Sequence, residues 1–393
     1  MIAFELLLLA YFIYVVGYTL TFAMAGYGYK RRLNGNPGRY SNFAVLIPSY
    51  KEDSVILEVA RQVTRQDYPQ ENFQVFIIAD SLKADTIKDL KKLPLTVIEV
   101  VFESSTKVKS MNHALENIPE GRYDFAVILD ADNVMESTFL AKMNALVVQH
   151  NYKAVQGQRK PKNKNNNLAF LDGLSEAINN HIYRQGTVAL GLSSSISGSG
   201  IVFDFKLLKE TLSKMNSVGG YDRELELKFI QENFPVYYYK DAVVFDEKVS
   251  RSQSFQNQRK RWISSQYIYL AKYFRVGCQA LLKGNFTFFN SAVLRNIQLP
   301  RLINLGLLTL LMVLSLFLHD YLIFGREIWI ALFLLNSFSI LISIPKEYYS
   351  TKMLKAFFNL PGIFINMVLL LFRLKDANKK FIHTQHGIAS QEQ

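Results

Sequence analysis

Apolar positions fall into two kinds of run along this chain. Residues 2–27 are almost continuously apolar, broken by Glu5, and the runs 302–324, 328–344 and 353–372 repeat the pattern further on. Each is close to the about 20 residues a helix needs to cross the apolar part of a bilayer, 328–344 being the short one. Between them, 40–275 has the mixed composition of a globular domain. There, short apolar runs alternate with helical patterns. The runs 43–48 (FAVLIP), 75–79 (VFIIA), 95–102 (LTVIEVVF) and 125–129 (FAVIL) predict buried strands, two of them ending at Asp80 and Asp130. A fifth strand is predicted over 201–205. Helices are predicted over 54–64, 110–117, 168–190, 225–232 and 254–274. The basic, Pro-containing stretch 159–167 predicts a mobile loop, and the Ser/Gly-rich 193–200 a second loop. Alternating strands and helices predict an α/β fold with an open, mostly parallel sheet, here flanked by transmembrane helices. Ligands bind beyond the carboxyl ends of such strands, where Asp80 and Asp130 stand.

Charge sharpens the membrane reading. Lys30, Arg31 and Arg32 follow the first apolar run, which suits a retained anchor with a cytoplasmic domain after it better than a cleaved signal peptide. The expected organisation is an anchor (1–27), a cytoplasmic domain (40–275), an interfacial segment (276–300), C-terminal membrane segments (301–373) and a basic tail (374–393), multi-pass in the cell's inner (plasma) membrane. One span before the domain and three after it would put the tail outside. Arg373, Lys375, Lys379 and Lys380 prefer the cytoplasm, so Pro361-Gly362 is read as splitting the last run into a re-entrant or interfacial segment. The net charge of +12 fits nucleic acid, an anionic membrane face or a phosphate-bearing substrate. Basic residues concentrate beside the membrane segments, which argues against nucleic acid and for membrane lipids. A single cysteine, Cys278, excludes an intramolecular disulfide.

Five groups of residues could carry chemistry. Asp130-Ala131-Asp132 follows a strand, and two carboxylates flanking a small residue can share a hard cation, Mg²⁺ or Mn²⁺; an ordinary strand-to-turn junction is the plainer alternative. Asp80 could accept hydrogen bonds from a base or ribose, or cap a helix. Lys107, Lys109 and Asn112 could bind ribose or phosphate oxygens, or form a solvated helix face. Asp222, Glu224 and Glu226 follow Gly219-Gly220. One could be a general base, the others acids that favour a helix N-terminus. In Gln258-Arg259-Lys260-Arg261-Trp262, Arg261 could grip a diphosphate and Trp262 offer a flat face to a sugar, on a basic, membrane-surface helix.

In this order these residues resemble the membrane-bound family-2 glycosyltransferases, the group of cellulose, chitin and hyaluronan synthases. Their pattern is a strand ending in Asp, then Asp-x-Asp, Thr-Glu-Asp and Gln-x-x-Arg-Trp. Here stand Asp80, Asp130/Asp132, Asp222-Arg223-Glu224 and Gln258/Arg261/Trp262, with Lys107 at the family's lysine and Ser197-Gly198-Ser199-Gly200 like its loop before the catalytic helix. The likeness covers residues 43–274. It implies a glycosyltransferase A-type, Rossmann-like domain and an inverting, metal-dependent transfer of a hexose from a nucleotide-sugar, UDP-linked in the family. In frame with the double Gly, the family's catalytic Asp falls on Glu224 and its Glu on Arg223, with Asp222 a rival base. The resemblance implies donor contacts at Asp80, Lys107, Asp130 and Arg261, a metal at Asp132 with Asp130, and acceptor contacts at Gly198, Ser199, Gln258 and Trp262.

Two acceptors remain open, a growing polysaccharide and a lipid-linked molecule. So few spans give little wall for a channel, so a processive synthase would need a homo-oligomer or an export partner. A non-catalytic, membrane-associated scaffold is the alternative, favoured by Arg223 and opposed by the intact Asp-x-Asp and Gln-x-x-Arg-Trp. A transporter would show more intramembrane charge than Glu5 and the His319-Asp320 pair.

Overall fold

A computed structural model describes residues 2–30, 38–249, 252–318 and 322–374. The expected tail and its lysines, and Arg31 and Arg32, lie outside these. After helix α1 (Ile2–Tyr27) come β1 (Phe43–Tyr50), α2 (Ile56–Val63), β2 (Phe73–Asp80), α3 (Ala84–Leu90), β3 (Thr96–Val100), α4 (Lys107–Asn117) and β4 (Phe125–Ile128). Then follow β5 (Val134–Met135), α5 (Phe139–His150), β6 (Ala154–Pro161) and α6 (Asn167–Asn179), which runs through a π-helical turn (Asn180–Gly186) into α7 (Thr187–Ala189). β7 (Ile201–Asp204), α8 (Phe205–Leu212), α9 (Tyr221–Gln231) and β8 (Tyr237–Asp246) complete the α/β part.

The eight strands form one sheet in the order β3-β2-β1-β4-β7-β6-β8-β5. Its first half is parallel, as expected. The second half is mixed: β7 runs against both β4 and β6, and β5 against β8, while β6 and β8 are parallel. The mostly parallel expectation is corrected there. The reversal has a consequence for position. β7 starts where β4 ends, with Ile201 opposite Ile128, so the Ser/Gly loop before it arrives beside Asp130.

Both faces of the central strands are buried, which explains their unbroken apolar runs. Phe43, Val45 and Ile47 enter one core with Ile56 and Val59 of α2 and Leu140 and Met143 of α5. Ala44 and Leu46 enter the other, with Val108 and Met111 of α4, Leu208 of α8 and Phe229 of α9. Full burial of each large apolar side chain contributes about 1.5–3 kcal/mol. The predicted loop at 159–167 is corrected in part, because 159–161 belong to β6. Polar residues hide this strand: Gln156 is fully buried but bonds backbone oxygens of Gly157 and Ser199.

Beyond the sheet, α10 (Ser252–Leu282) is a 31-residue helix, about 46 Å at 1.5 Å per residue. Tyr269 and Tyr273 on it pack against Leu227 and Ile230 of α9. α11 (Phe286–Phe289), a π-helical turn and α12 (Arg295–Ile297) lead to α13 (Arg301–Phe317), α14 (Arg326–Ile342), α15 (Thr351–Phe357) and α16 (Leu360–Leu371). Among the described residues only α1 is by itself long and apolar enough to cross a membrane; the number reaches three if each of two bent helix pairs counts as one span. α13 and α14 have 17 residues each, about 25 Å, short of the about 30 Å apolar thickness. The last run is indeed broken, by a 45° bend before α16, where Pro361 sits in the first helical turn and needs no N–H partner.

Candidate active site

The carboxyl ends of β1, β2 and β4 lie side by side. Lys51 after β1 and Ser81 after β2 both adopt left-handed backbone (φ 57° and 58°), which costs non-glycine residues about 1–3 kcal/mol each and turns the chain sharply at this edge. Asp80, 1% exposed, accepts hydrogen bonds from Ser81 Oγ (3.1 Å), Ser105 Oγ (3.0 Å) and Ser110 Oγ (3.4 Å). The Asp130 N–H donates to Ser199 Oγ at 2.9 Å, and Asn133 Nδ2 donates to the same oxygen at 2.6 Å. Lys107, in the first turn of α4, is ion-paired with the Asp130 carboxylate and donates to Gly198 O at 3.1 Å. Burial works to lower the Lys107 pKa, but the charge of Asp130, helped by Tyr221, outweighs it and the ammonium is held charged. Asp132 is nearly buried, and its backbone oxygen accepts from Lys162 Nζ at 3.0 Å.

A cavity of about 950 Å³ opens over this cluster. Asp80, Lys107, Asp130 and Asp132 line it, and so do Gly198, Asp222, Gln258, Arg261 and Trp262. Ser199 and Glu224 lie outside it. Ser199 is fully buried behind Asp130 and accepts a hydrogen bond from its N–H. Glu224 points to α10, ion-paired with Lys272 Nζ at 2.5 Å and 3.4 Å from the Tyr269 hydroxyl. Of the two candidate bases, Asp222 lines the cavity, while Glu224, two residues further along the helix, is turned towards α10.

Two glycines fix Asp222. Gly220 caps α9 with φ +64°, and a Cβ there would lie 2.5 Å from Ser265 Oγ of α10. Only glycine lets α9 start this close to α10. Gly198, φ +76°, would place a Cβ 3.6 Å from Asp222 Oδ2, so a side chain there would meet the carboxylate. Burial raises the Asp222 pKa above the ordinary carboxylate range, with Arg223 opposing. Burial lowers the Arg261 pKa. The Gln258 Oε1 is buried with no hydrogen-bond partner, and Arg259 stacks on Trp262 at 4.6 Å while ion-paired with Asp172.

Residues unflagged in sequence complete the walls. Tyr221 donates to Gly198 O at 2.5 Å and lies under Lys107. Arg159 bridges Asp246 (3.1 Å) and Glu176 (3.7 Å), and Lys248 joins Asp246 (3.0 Å) to Asp172 (3.9 Å). This buried network ties β6, β8, α6 and α10 together beside Asp130 and Asp132. The order DEK at 246–248 just ahead of the basic helix was its only sequence trace. Among the described residues, no group of three or more His, Cys, Asp or Glu side chains is arranged to hold a metal ion.

Comparison with known proteins agrees with this layout. A curated glucuronosyltransferase of Methanococcus voltae acting on dolichyl N-acetyl-alpha-D-glucosaminyl phosphate is 24% identical over 214 residues, 49% of this chain and 63% of the relative. A beta-monoglucosyldiacylglycerol synthase of Trichormus variabilis is 23% identical over 234 residues, 57% of this chain and 48% of the relative. The matches thus span less than two thirds of these relatives' lengths. The solved structure of the Pyrobaculum calidifontis mannosyltransferase PcManGT with GDP-Man and Mn²⁺ superposes with a TM-score of 0.62 at 16% identity, covering 96% of this chain and 100% of that one, and so shares its fold. The family model described as glycosyltransferase like family 2 matches residues 40–265, more than half of the chain and the whole stretch that builds the cavity, and the chain belongs to that family.

Proposed function

We propose that this protein transfers a sugar from a nucleotide-sugar, with inversion, to a hydroxyl of a lipid-linked acceptor at the cytoplasmic face of a membrane. The observation that carries the reading is one cavity lined by the Asp80, Lys107, Asp130 and Asp132 cluster, by Asp222 and by apolar residues of α13, α14 and α16. Two curated relatives, whose names specify a dolichyl-linked phosphosugar and a diacylglycerol product, support a lipid acceptor.

Asp130 and Asp132 offer hard oxygen donors to the cavity and would hold a Mg²⁺ or Mn²⁺ ion, which would supply positive charge for a departing diphosphate. Lys107 and Arg261 add positive charge around the same leaving group, and Asp80 meets the ribose or base. Asp222 takes the acceptor's hydroxyl proton. As the new oxygen–C1 bond forms, the C1–oxygen bond to the diphosphate breaks and its electron pair leaves on the nucleoside diphosphate. A carboxylate with a raised pKa is the stronger base. Trp262 presents a ring face to a sugar, and the unpartnered Gln258 Oε1 accepts from a sugar hydroxyl.

The test is a screen of nucleotide-sugars and lipid acceptors with the full chain in maltoside detergent and Mn²⁺ or Mg²⁺, read by product mass. Discrete sugar additions to a lipid, abolished by EDTA and restored by the ion, are expected. Consumption of no donor, or full turnover by Asp132→Ala, refutes the reading.

A further inference from the structure

We infer that Arg223, Arg295 and Arg301 bind a phosphate group on the acceptor, and that the acceptor's lipid chain lies between α13, α14 and α16. The inference rests on the transfer reading above and names what its acceptor must carry.

Arg223 stands where the resembled family has glutamate, and nothing in the transfer chemistry uses it. It lines the cavity next to Asp222. Its nearest carboxylate, Glu226, lies at 4.0 Å and is ion-paired with Arg295 as well. One buried carboxylate thus serves two guanidinium groups. Arg295 also lines the cavity, with a side chain 4% exposed. Its Nη2 donates to Glu226, but its Nε and Nη1 are buried without any hydrogen-bond partner. Buried guanidinium donors are normally satisfied, so these two point to a ligand. Arg301 donates to neutral oxygens only, Asn179 Oδ1 (3.0 Å) and Ser175 Oγ (3.0 Å) and O (3.1 Å), and has no ion pair among the described residues. All three arginines line the one cavity, and the charge of each reaches Tyr183, opposing the rise that burial gives its pKa. Three guanidinium groups with one ion-paired carboxylate between them, two of their donors unsatisfied, suit a phosphate, which accepts several charge-assisted hydrogen bonds at once.

The same cavity wall includes apolar residues, Leu302 and Leu305 of α13, Ile340 and Leu341 of α14, and Ile363 and Met367 of α16. A free phosphate or a soluble sugar phosphate would leave this wall uncovered. A lipid phosphate covers it, with its hydroxyl-bearing head at Asp222 and its chain among the helices.

Calorimetric titration of the full chain in uncharged maltoside detergent tests this with dodecyl phosphate, and with inorganic phosphate as the head alone. Dodecyl phosphate should bind at least about tenfold more tightly than inorganic phosphate, and Arg223→Glu, Arg295→Gln and Arg301→Gln should each weaken it about tenfold or more, the scale of a lost charge-assisted hydrogen bond. Arg223→Glu carries the test if the deeply buried Arg295→Gln fails to fold. Equal binding by Arg223→Glu and wild type refutes the arginine site, and equal binding of the two probes refutes the lipid. Binding is read without turnover, so an absence of sugar transfer alongside intact, arginine-dependent binding would overturn the transfer reading alone.

Discussion

Replacing Asp222 by Asn keeps its size and removes its basicity. General-base catalysis contributes about a hundred- to ten-thousandfold, or about 2.7–5.4 kcal/mol of barrier at 1.36 kcal/mol per tenfold, so kcat should fall by that much. The partner change, Glu224→Gln, acts elsewhere. Glu224 is 5% exposed but its partner Lys272 is 52% exposed, so the exchange loses about 1–3 kcal/mol of stability and leaves kcat within about tenfold. Stability gives a second readout. A carboxyl whose folded pKa lies above its unfolded value of about 3.9 favours folding when protonated and costs stability from that pH upward. At neutral pH Asp222→Asn removes this cost, and Tm should rise while kcat collapses. Steady-state release of nucleoside diphosphate with lipid acceptor, beside calorimetric unfolding, checks both. A Glu224→Gln enzyme that loses a hundredfold while Asp222→Asn stays active would make Glu224 the base and refute the placement.

The acid limb of kcat/KM should lie above the ordinary carboxylate range, activity falling as pH drops through the raised Asp222 pKa. Arg223 opposes that rise, so Arg223→Gln should move the limb to still higher pH; a stationary limb in a pH–rate series would show that Asp222 does not set it. Gly220→Ala should lose about 1–3 kcal/mol in denaturant unfolding and lower kcat, because the new Cβ meets Ser265 at 2.5 Å in a left-handed conformation; a wild-type profile would mean that α9 can shift without moving Asp222.

Much of the site was legible because it sits at strand ends. Apolar runs ending at Asp80 and Asp130 mark two carboxyl edges of a sheet, and such an edge brings them together whatever the rest of the chain does. Lys107 and Trp262 also fall where their motifs placed them, lining the cavity. Which of two carboxylates meets the cavity was not legible. Asp222 and Glu224 are two residues apart, and only the angle at which α9 meets α10, with Gly220 against Ser265, decides which lines it. Ser199 is a similar case: glycine-flanked loops look exposed, yet β7 presses this one behind β4.

By itself the sequence determined the anchor-like first helix, the α/β character and the acidic edge, because these follow from local periodicity and strand termini. The tertiary structure decided the rest. The antiparallel β7, the buried polar strand β6 and the one cavity that Arg223, Arg295 and Arg301 all line join residues far apart in the chain, through burial and charge that no local pattern encodes.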